Sequence, residues 1–182
     1  MFDYCRRRRA ARLGVPRMVG LDADASAVAV AVDMGRIWAD GTRVEFVQAR
    51  SEALPLPAQS CDLVIGRLLL PYARIDSTLG EIVRVLKSGG LAFLQAHSPG
   101  HYWSELRREK RTPREILYYL RPILSGWFLA WTGRQPRARW FTETALTPGQ
   151  LDRVCMRAGL VPVWRDVTRP KPMVVCRKKD ET

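Results

Sequence analysis

Apolar residues recur along the chain in two rhythms, one of strands and one of helices. Met18–Asp22 is a short apolar run closed by an acid, the pattern of a strand buried in a parallel sheet. The Ala- and Val-rich stretch Ala27–Ile37 follows, with Ser26 placed to cap it as a helix. Thr42–Gln48 alternates Val44 and Phe46 with polar neighbours and predicts a second strand, and Cys61–Gly66 a third, after a loop holding Pro55 and Pro57. Ser77 opens a helix whose Leu79, Ile82, Val83 and Leu86 fall on one stripe, and Gly89-Gly90 supply its stop. Leu91–Ala96 predicts another buried strand. Thr147-Pro148-Gly149-Gln150 spells a helix start: a hydroxyl cap, proline at the first helical position, and Gln three after the cap. Its buried face is Leu151, Val154, Cys155 and Ala158, and Gly159 ends it. Leu160–Trp164 and Met173–Cys176 then form an antiparallel pair. At the other end, residues 3–13 predict a basic helix stopped by Gly14 and Pro16.

Strand–helix alternation over residues 17–97 predicts an α/β fold, an open, doubly wound, mostly parallel sheet. The antiparallel pair closes it, and a helical insert precedes the last helix. One domain is expected over 1–182, divided into 1–98, an insert 99–146, and a C-terminal part 147–182.

Composition agrees with a packed core and excludes disorder as the main state: 47% of residues are hydrophobic and 26% charged. The net charge of +12 points toward acidic partners, but its placement matters more. Residues 22–98 carry seven bases against nine acids, whereas 99–146 carry nine bases against four acids. Basicity therefore belongs to the flanks. Cysteines 5, 61, 155 and 176 show no C-x-x-C and no nearby His pair, so no metal site is expected, and reduced thiols in a cytoplasmic chain are. The run Arg6–Arg9 is followed by no apolar core, which argues against an export signal.

Four segments resemble the class I S-adenosylmethionine (SAM)-dependent methyltransferases. Val19-Gly20-Leu21-Asp22-Ala23-Asp24-Ala25-Ser26 resembles the family's second strand and turn, and Val44–Pro57 its third strand and adenine loop. Cys61-Asp62-Leu63-Val64-Ile65 is similar to the fourth strand, and Glu81–Gly90 to E-x-x-R-V-L-K-P-G-G, with Ser88 in place of Pro. The resemblance implies a Rossmann-like fold, SAM as cofactor, and residues 1–98 as the cofactor half. It implies that Asp22, with Ala23 beside it, accepts from the ribose hydroxyls, an arrangement suited to an acid at the carboxyl end of a strand. It places Ser51, Glu52 and Ala53 over the adenine, with Leu54 as an apolar wall. Gly66 and Arg67 fall where the methyl-transfer site is lined, and His97, after the next strand, is a candidate to contact or deprotonate an acceptor. A structural, hydrogen-bonded histidine is the competing reading. Methyl transfer from a sulfonium depends mainly on alignment and exclusion of water, so no universal catalytic residue is expected.

Two features depart from the family. The first strand with its D-x-G-x-G turn is absent before the basic helix, and its loss should leave two half-sheets with unpaired edges or force a direct pairing. Arg50 stands where an acid usually accepts from the adenine amino group, and arginine has donors only. The expectation is either a chain begun late or a domain that has lost efficient cofactor binding.

The insert holds nine of the 16 aromatic residues and is rich in arginine. Ile116–Trp131 is too short to span a bilayer. Three readings stay open: a lid over a hydrophobic acceptor pocket, a contact of 104–139 with anionic membrane, or nucleic-acid binding, the least favoured. The expected function is a cytoplasmic SAM-dependent methyltransferase acting on a small-molecule or lipid-like acceptor, peripheral to the inner membrane face if 104–139 binds lipid. The alternative is a non-catalytic module of the same fold.

Overall fold

The computed structural model describes residues 17–37, 43–108, 111–136, 143–168 and 171–180. The helix expected over 3–13 lies outside them, as do Cys5, Lys110, Arg137, Arg139, Trp140 and Phe141. The described elements are β1 (Arg17–Asp22), α1 (Ala25–Ile37), β2 (Arg43–Gln48), β3 (Cys61–Arg67), α2 (Ile75–Val85), β4 (Leu86–Gln95), α3 (Pro99–Arg107), α4 (Pro113–Thr132), α5 (Pro148–Arg157), β5 (Leu160–Asp166) and β6 (Met173–Lys178). They fall into two compact units, residues 1–55 and 56–182.

In the first unit β1 and β2 pair in parallel, Met18 opposite Val44 and Asp22 opposite Gln48. The connecting helix α1 starts two residues before the expected Ala27. Asp24, rather than Ser26, does the capping: its carboxylate accepts from the Ser26 N–H at 2.8 Å.

The second unit is a four-stranded sheet ordered β3-β4-β6-β5. β3 and β4 are parallel, with Gly66 opposite Leu94 and Arg67 opposite Gln95, while β6 pairs antiparallel with both β4 and β5. Pro162, which has no N–H to give, is tolerated at an irregularity in the edge strand β5. Among the described residues β1 pairs only with β2 and β3 only with β4, so two separate sheets with open edges result, one of the two anticipated outcomes.

The core gathers on one side of α2. Ile75, Leu79 and Ile82 are buried against Leu94, Leu151, Val154, Leu160 and Val174. Each such side chain contributes about 1.5–3 kcal/mol on leaving water. The helix begins at Ile75 rather than Ser77, and ends at Val85 rather than at the glycines. From Leu86 the backbone is already extended, because Leu86 is fully buried and paired with Cys61. Gly89 still takes the left-handed conformation, φ +70°, but inside the strand. At α5 the expected capping box is present: the Thr147 hydroxyl accepts from Gln150 N–H and the Gln150 carbonyl oxygen accepts from Thr147 N–H.

The insert becomes two helices. Ser98 caps α3 by accepting from His101 N–H, and Thr112 with Glu115 forms a second capping box on α4. One side of α4, Ile123, Ser125, Gly126 and Leu129, is buried. It lies against Glu143–Leu146: Ala145 N–H donates to the Pro122 carbonyl at 2.9 Å, the Ser125 and Thr144 hydroxyls meet at 2.8 Å, and Gln150 Nε2 donates to the Gly126 carbonyl at 2.7 Å. Among the described residues no helix is long and apolar enough to cross a membrane.

Candidate active site

In the first unit, Asp22 ends β1 with its carboxylate exposed to solvent. One oxygen, Oδ1, accepts from Asp24 N–H at 3.0 Å, and the Asp22 carbonyl accepts from Ala49 N–H. The loop bearing Ser51, Glu52 and Ala53 therefore begins beside Asp22. The Ala23 carbonyl accepts from Gln48 Nε2 at 3.2 Å. Glu52 is turned toward its own loop: its Oε2 accepts from the Ser51 hydroxyl at 3.4 Å and lies 3.6 Å from the Arg50 guanidinium. The arginine that departs from the family pattern is thus paired with the neighbouring acid. An exposed carboxylate at a strand's carboxyl end fits a ribose diol, which needs acceptors for two hydroxyls.

In the second unit, the carboxyl ends of β3 and β4 lie side by side, the position where open α/β sheets bind ligands. Gly66 is buried, and an added Cβ would collide with the Leu94 side chain. Its neighbour Arg67 is exposed. Next comes Leu68 at φ +54°, a conformation that few non-glycine residues adopt; its N–H donates to the Gln95 carbonyl.

His97, just past β4, is only 6% exposed. Its main-chain carbonyl accepts from Leu146 N–H, which fixes the position of its backbone. Its Nδ1 lies 3.3 Å from the Tyr102 hydroxyl on α3. That phenol donates at 2.7 Å to Oε2 of the buried Glu143, and Tyr118 on α4 donates to Oε1 at 3.1 Å. His101 tilts against the His97 ring at 4.3 Å between centroids, and Tyr72 meets it edge-on at 6.2 Å. His97 Nε2 is buried and has no partner among the described residues. Burial, His101 and Lys171 lower the His97 pKa to about 4, so the imidazole is neutral at pH 7. Burial first, then Glu143, pushes the Tyr102 hydroxyl well above the usual phenol range, so it keeps its proton.

Residues from five segments of the second unit, 68–72, 96–102, 118, 143–146 and 171, thus converge on one spot. Sequence reading found His97 there and missed Tyr102, Tyr118 and Glu143. The near-repeat His97–His101-Tyr102 was the available signal; nothing marks Glu143 except that it is a lone acid in a basic stretch. A cleft of about 450 Å³ between α4 and α5, lined by Leu129, Gln150, Val154 and Arg157, involves none of these groups.

Residues 6–94 match the family model described as a methyltransferase domain. No curated protein matches by sequence. Among solved structures, a SAM-dependent methyltransferase from Methanosarcina mazei aligns over 97% of this chain and 87% of its own, with TM-score 0.65 and 16% identity. An S-adenosylmethionine-dependent methyltransferase from Mesorhizobium loti aligns over 94% and 84%, with TM-score 0.65 and 18% identity. The [4+2]-cyclase SpnF aligns over 96% and 71%, with TM-score 0.66 and 18% identity. At these identities the likeness speaks for the fold. Residues 6–94 thus match a methyltransferase-domain model, and the chain carries a Rossmann-like fold similar to that of these SAM-dependent methyltransferases.

Proposed function

We propose that the protein transfers a methyl group from SAM to a small-molecule or lipid-like acceptor in the cytoplasm. The observation that carries this reading is the exposed Asp22 carboxylate at the end of β1, inside the segment matched as a methyltransferase domain. Asp22 and the backbone of Ala23 hold the ribose. Ser51, Glu52 and Ala53 flank the adenine, with Glu52 kept in place by Arg50. In the second unit, Gly66 and Arg67 at the carboxyl end of β3 and His97 after β4 are the candidates to line the methyl-transfer site. Calorimetric titration of the purified chain with SAM should give a micromolar Kd, weakened at least roughly tenfold in Asp22→Asn, since a good charged hydrogen bond is worth about 1.5–3 kcal/mol. Absence of binding at millimolar SAM would leave the other reading, a methyltransferase fold put to another use. The similarity of fold to the [4+2]-cyclase SpnF favours that alternative, because a fold does not dictate its chemistry.

The insert acts as a lid through its buried side and, in our reading, meets anionic membrane with its other side. Leu117, Leu124, Trp127, Phe128 and Trp131 follow helical spacing along α4 and are all exposed, Trp131 at 90%. Arg107, Arg108, Arg114 and Arg134, exposed nearby in sequence, supply the positive charge that anionic headgroups attract. The chain should co-float with phosphatidylserine-containing vesicles at low salt and not with neutral ones. Replacing Trp127 and Trp131 by Ser should abolish flotation, whereas flotation of the double variant at the wild-type level would remove the membrane contact from this picture.

A further inference from the structure

Helices α4 and α5 are fastened to each other at two points. Gln150 Nε2 donates to the Gly126 carbonyl at 2.7 Å, and Arg157 donates to the Gly133 carbonyl at 2.8 Å. From one fastening to the next both helices advance by seven residues, so they run side by side in the same sense over about 10 Å. Between the fastenings opens the cleft of about 450 Å³, a volume within the roughly 300–1,000 Å³ of small-molecule sites. Its apolar lining is the buried Leu129 and Val154 with the exposed Ala130 and Met156.

Arg153 also lines this cleft, exposed and without an ion-pair or hydrogen-bond partner among the described residues. The charges around it are matched: Arg157 with Asp76 at 2.6 Å, and Asp152 with Arg165 at 3.2 Å. One guanidinium is therefore left over beside an apolar surface, and its flat fork suits a single carboxylate.

We propose that the cleft between α4 and α5 binds a long-chain monocarboxylate, with the carboxylate on Arg153 and the hydrocarbon chain along Leu129, Ala130, Val154 and Met156. A phosphate monoester would bring nearly two charges to one cation, and an uncharged chain would leave the cation unmatched. The site lies wholly within the second unit and goes beyond the methyltransferase reading, on which it does not depend. A chain lying between the two fastenings touches both helices, so its binding should also raise the unfolding temperature.

The test uses the full-length protein with methyl-labelled methionines at pH 8, titrated with dodecanoate below its micelle concentration. The chain has five methionines, and Met156→Leu identifies the signal of the cleft. Dodecanoate should shift the Met156 methyl saturably, at one molecule per chain by calorimetry. Butyrate, which lacks the long chain, and dodecyltrimethylammonium, which reverses the charge, should not. Arg153→Gln should weaken binding about tenfold or more, and Ala130→Phe, which fills the cleft, should abolish it. Replacing Trp127 and Trp131 by Ser should leave it intact, which separates this site from the membrane contact. SAM binding is read on the same samples, and its loss with the Met156 shift intact sinks the methyltransferase reading alone. An unmoved Met156 methyl, equal responses to dodecanoate and dodecyltrimethylammonium, or wild-type affinity in Arg153→Gln overturns the proposal. So does a dimer in sedimentation that Ala130→Phe breaks, because a second copy then fills the cleft.

Discussion

Replacing Gly126 by alanine should destabilise the protein by about 2 kcal/mol, although the same change at Gly80 should stabilise it. Both glycines lie in helices, where alanine is ordinarily better by about 1 kcal/mol because glycine loses more backbone freedom on folding. At Gly80 an added methyl meets nothing within 4 Å, so that gain should appear. At Gly126 the methyl would overlap the Ala145 carbonyl oxygen, which is main chain and cannot swing aside. α4 would have to lift from Glu143–Leu146, straining the Pro122–Ala145, Ser125–Thr144 and Gln150–Gly126 hydrogen bonds together. Overpacking of this kind costs about 1–3 kcal/mol and the weakened hydrogen bonds together about 1 kcal/mol more, which less the helix gain leaves about 2 kcal/mol. Urea titration of both variants checks it. Equal stability of the two would mean that the approach of α4 to residues 143–146 is looser than described. The same clasp holds Glu143 in reach of Tyr102, so Gly126→Ala should also disturb the hydrogen bonds beside His97.

The second large effect is acidification. The His97 pKa falls from the usual 6.5 to about 4 in the folded protein, from burial first and then from His101 and Lys171. Below pH 6.5 the unfolded chain binds a proton at this ring that the folded chain refuses until about pH 4. The stabilisation is therefore full above 6.5 and is lost as the pH falls through that window, to a limit of about 3 kcal/mol. The groups around the ring are Tyr72, Tyr102, with Glu143 behind it, His101 and Lys171. His101 is lowered too, chiefly by burial, and adds a smaller loss of the same sign. Denaturation at pH 7 and pH 4.5 should show wild type losing about 2 kcal/mol more than His97→Gln. Parallel losses in the two proteins would show that His97 is not buried as a neutral ring.

What the sequence reveals and what it hides follow from how local each feature is. The α5 start is readable because Thr147, Pro148 and Gln150 act on their own helix end. The cap of α1 and the ends of α2 are less so, because partners elsewhere compete for them: Leu86 leaves the helix early to pair with Cys61, which lies across the sheet. Asp22 and His97 are legible as strand-end residues, since alternating α/β patterns place strand ends at the ligand crevice. Tyr102, Tyr118 and Glu143 are not, because each comes from a different segment and only packing brings them to one imidazole. The insert's basic, aromatic composition is plain in the sequence. Which side of α4 would be buried is not, because Ile123 and Leu129 look no more apolar than Leu124 and Trp131.

The strand order β3-β4-β6-β5 also bears on how the molecule is made. β6 is the last of these strands to leave the ribosome, yet it lies inside the sheet, between β4 and β5. Until residues 173–178 emerge, the inner edge of β4 has no partner and β5 has none at all. Synthesis proceeds at roughly 5–20 residues per second, so that edge stays open for several seconds after β4 is complete. During this interval Leu94 and its neighbours are exposed to other nascent chains. A chaperone that holds the partly made sheet should therefore raise the yield of folded protein more than one acting after release.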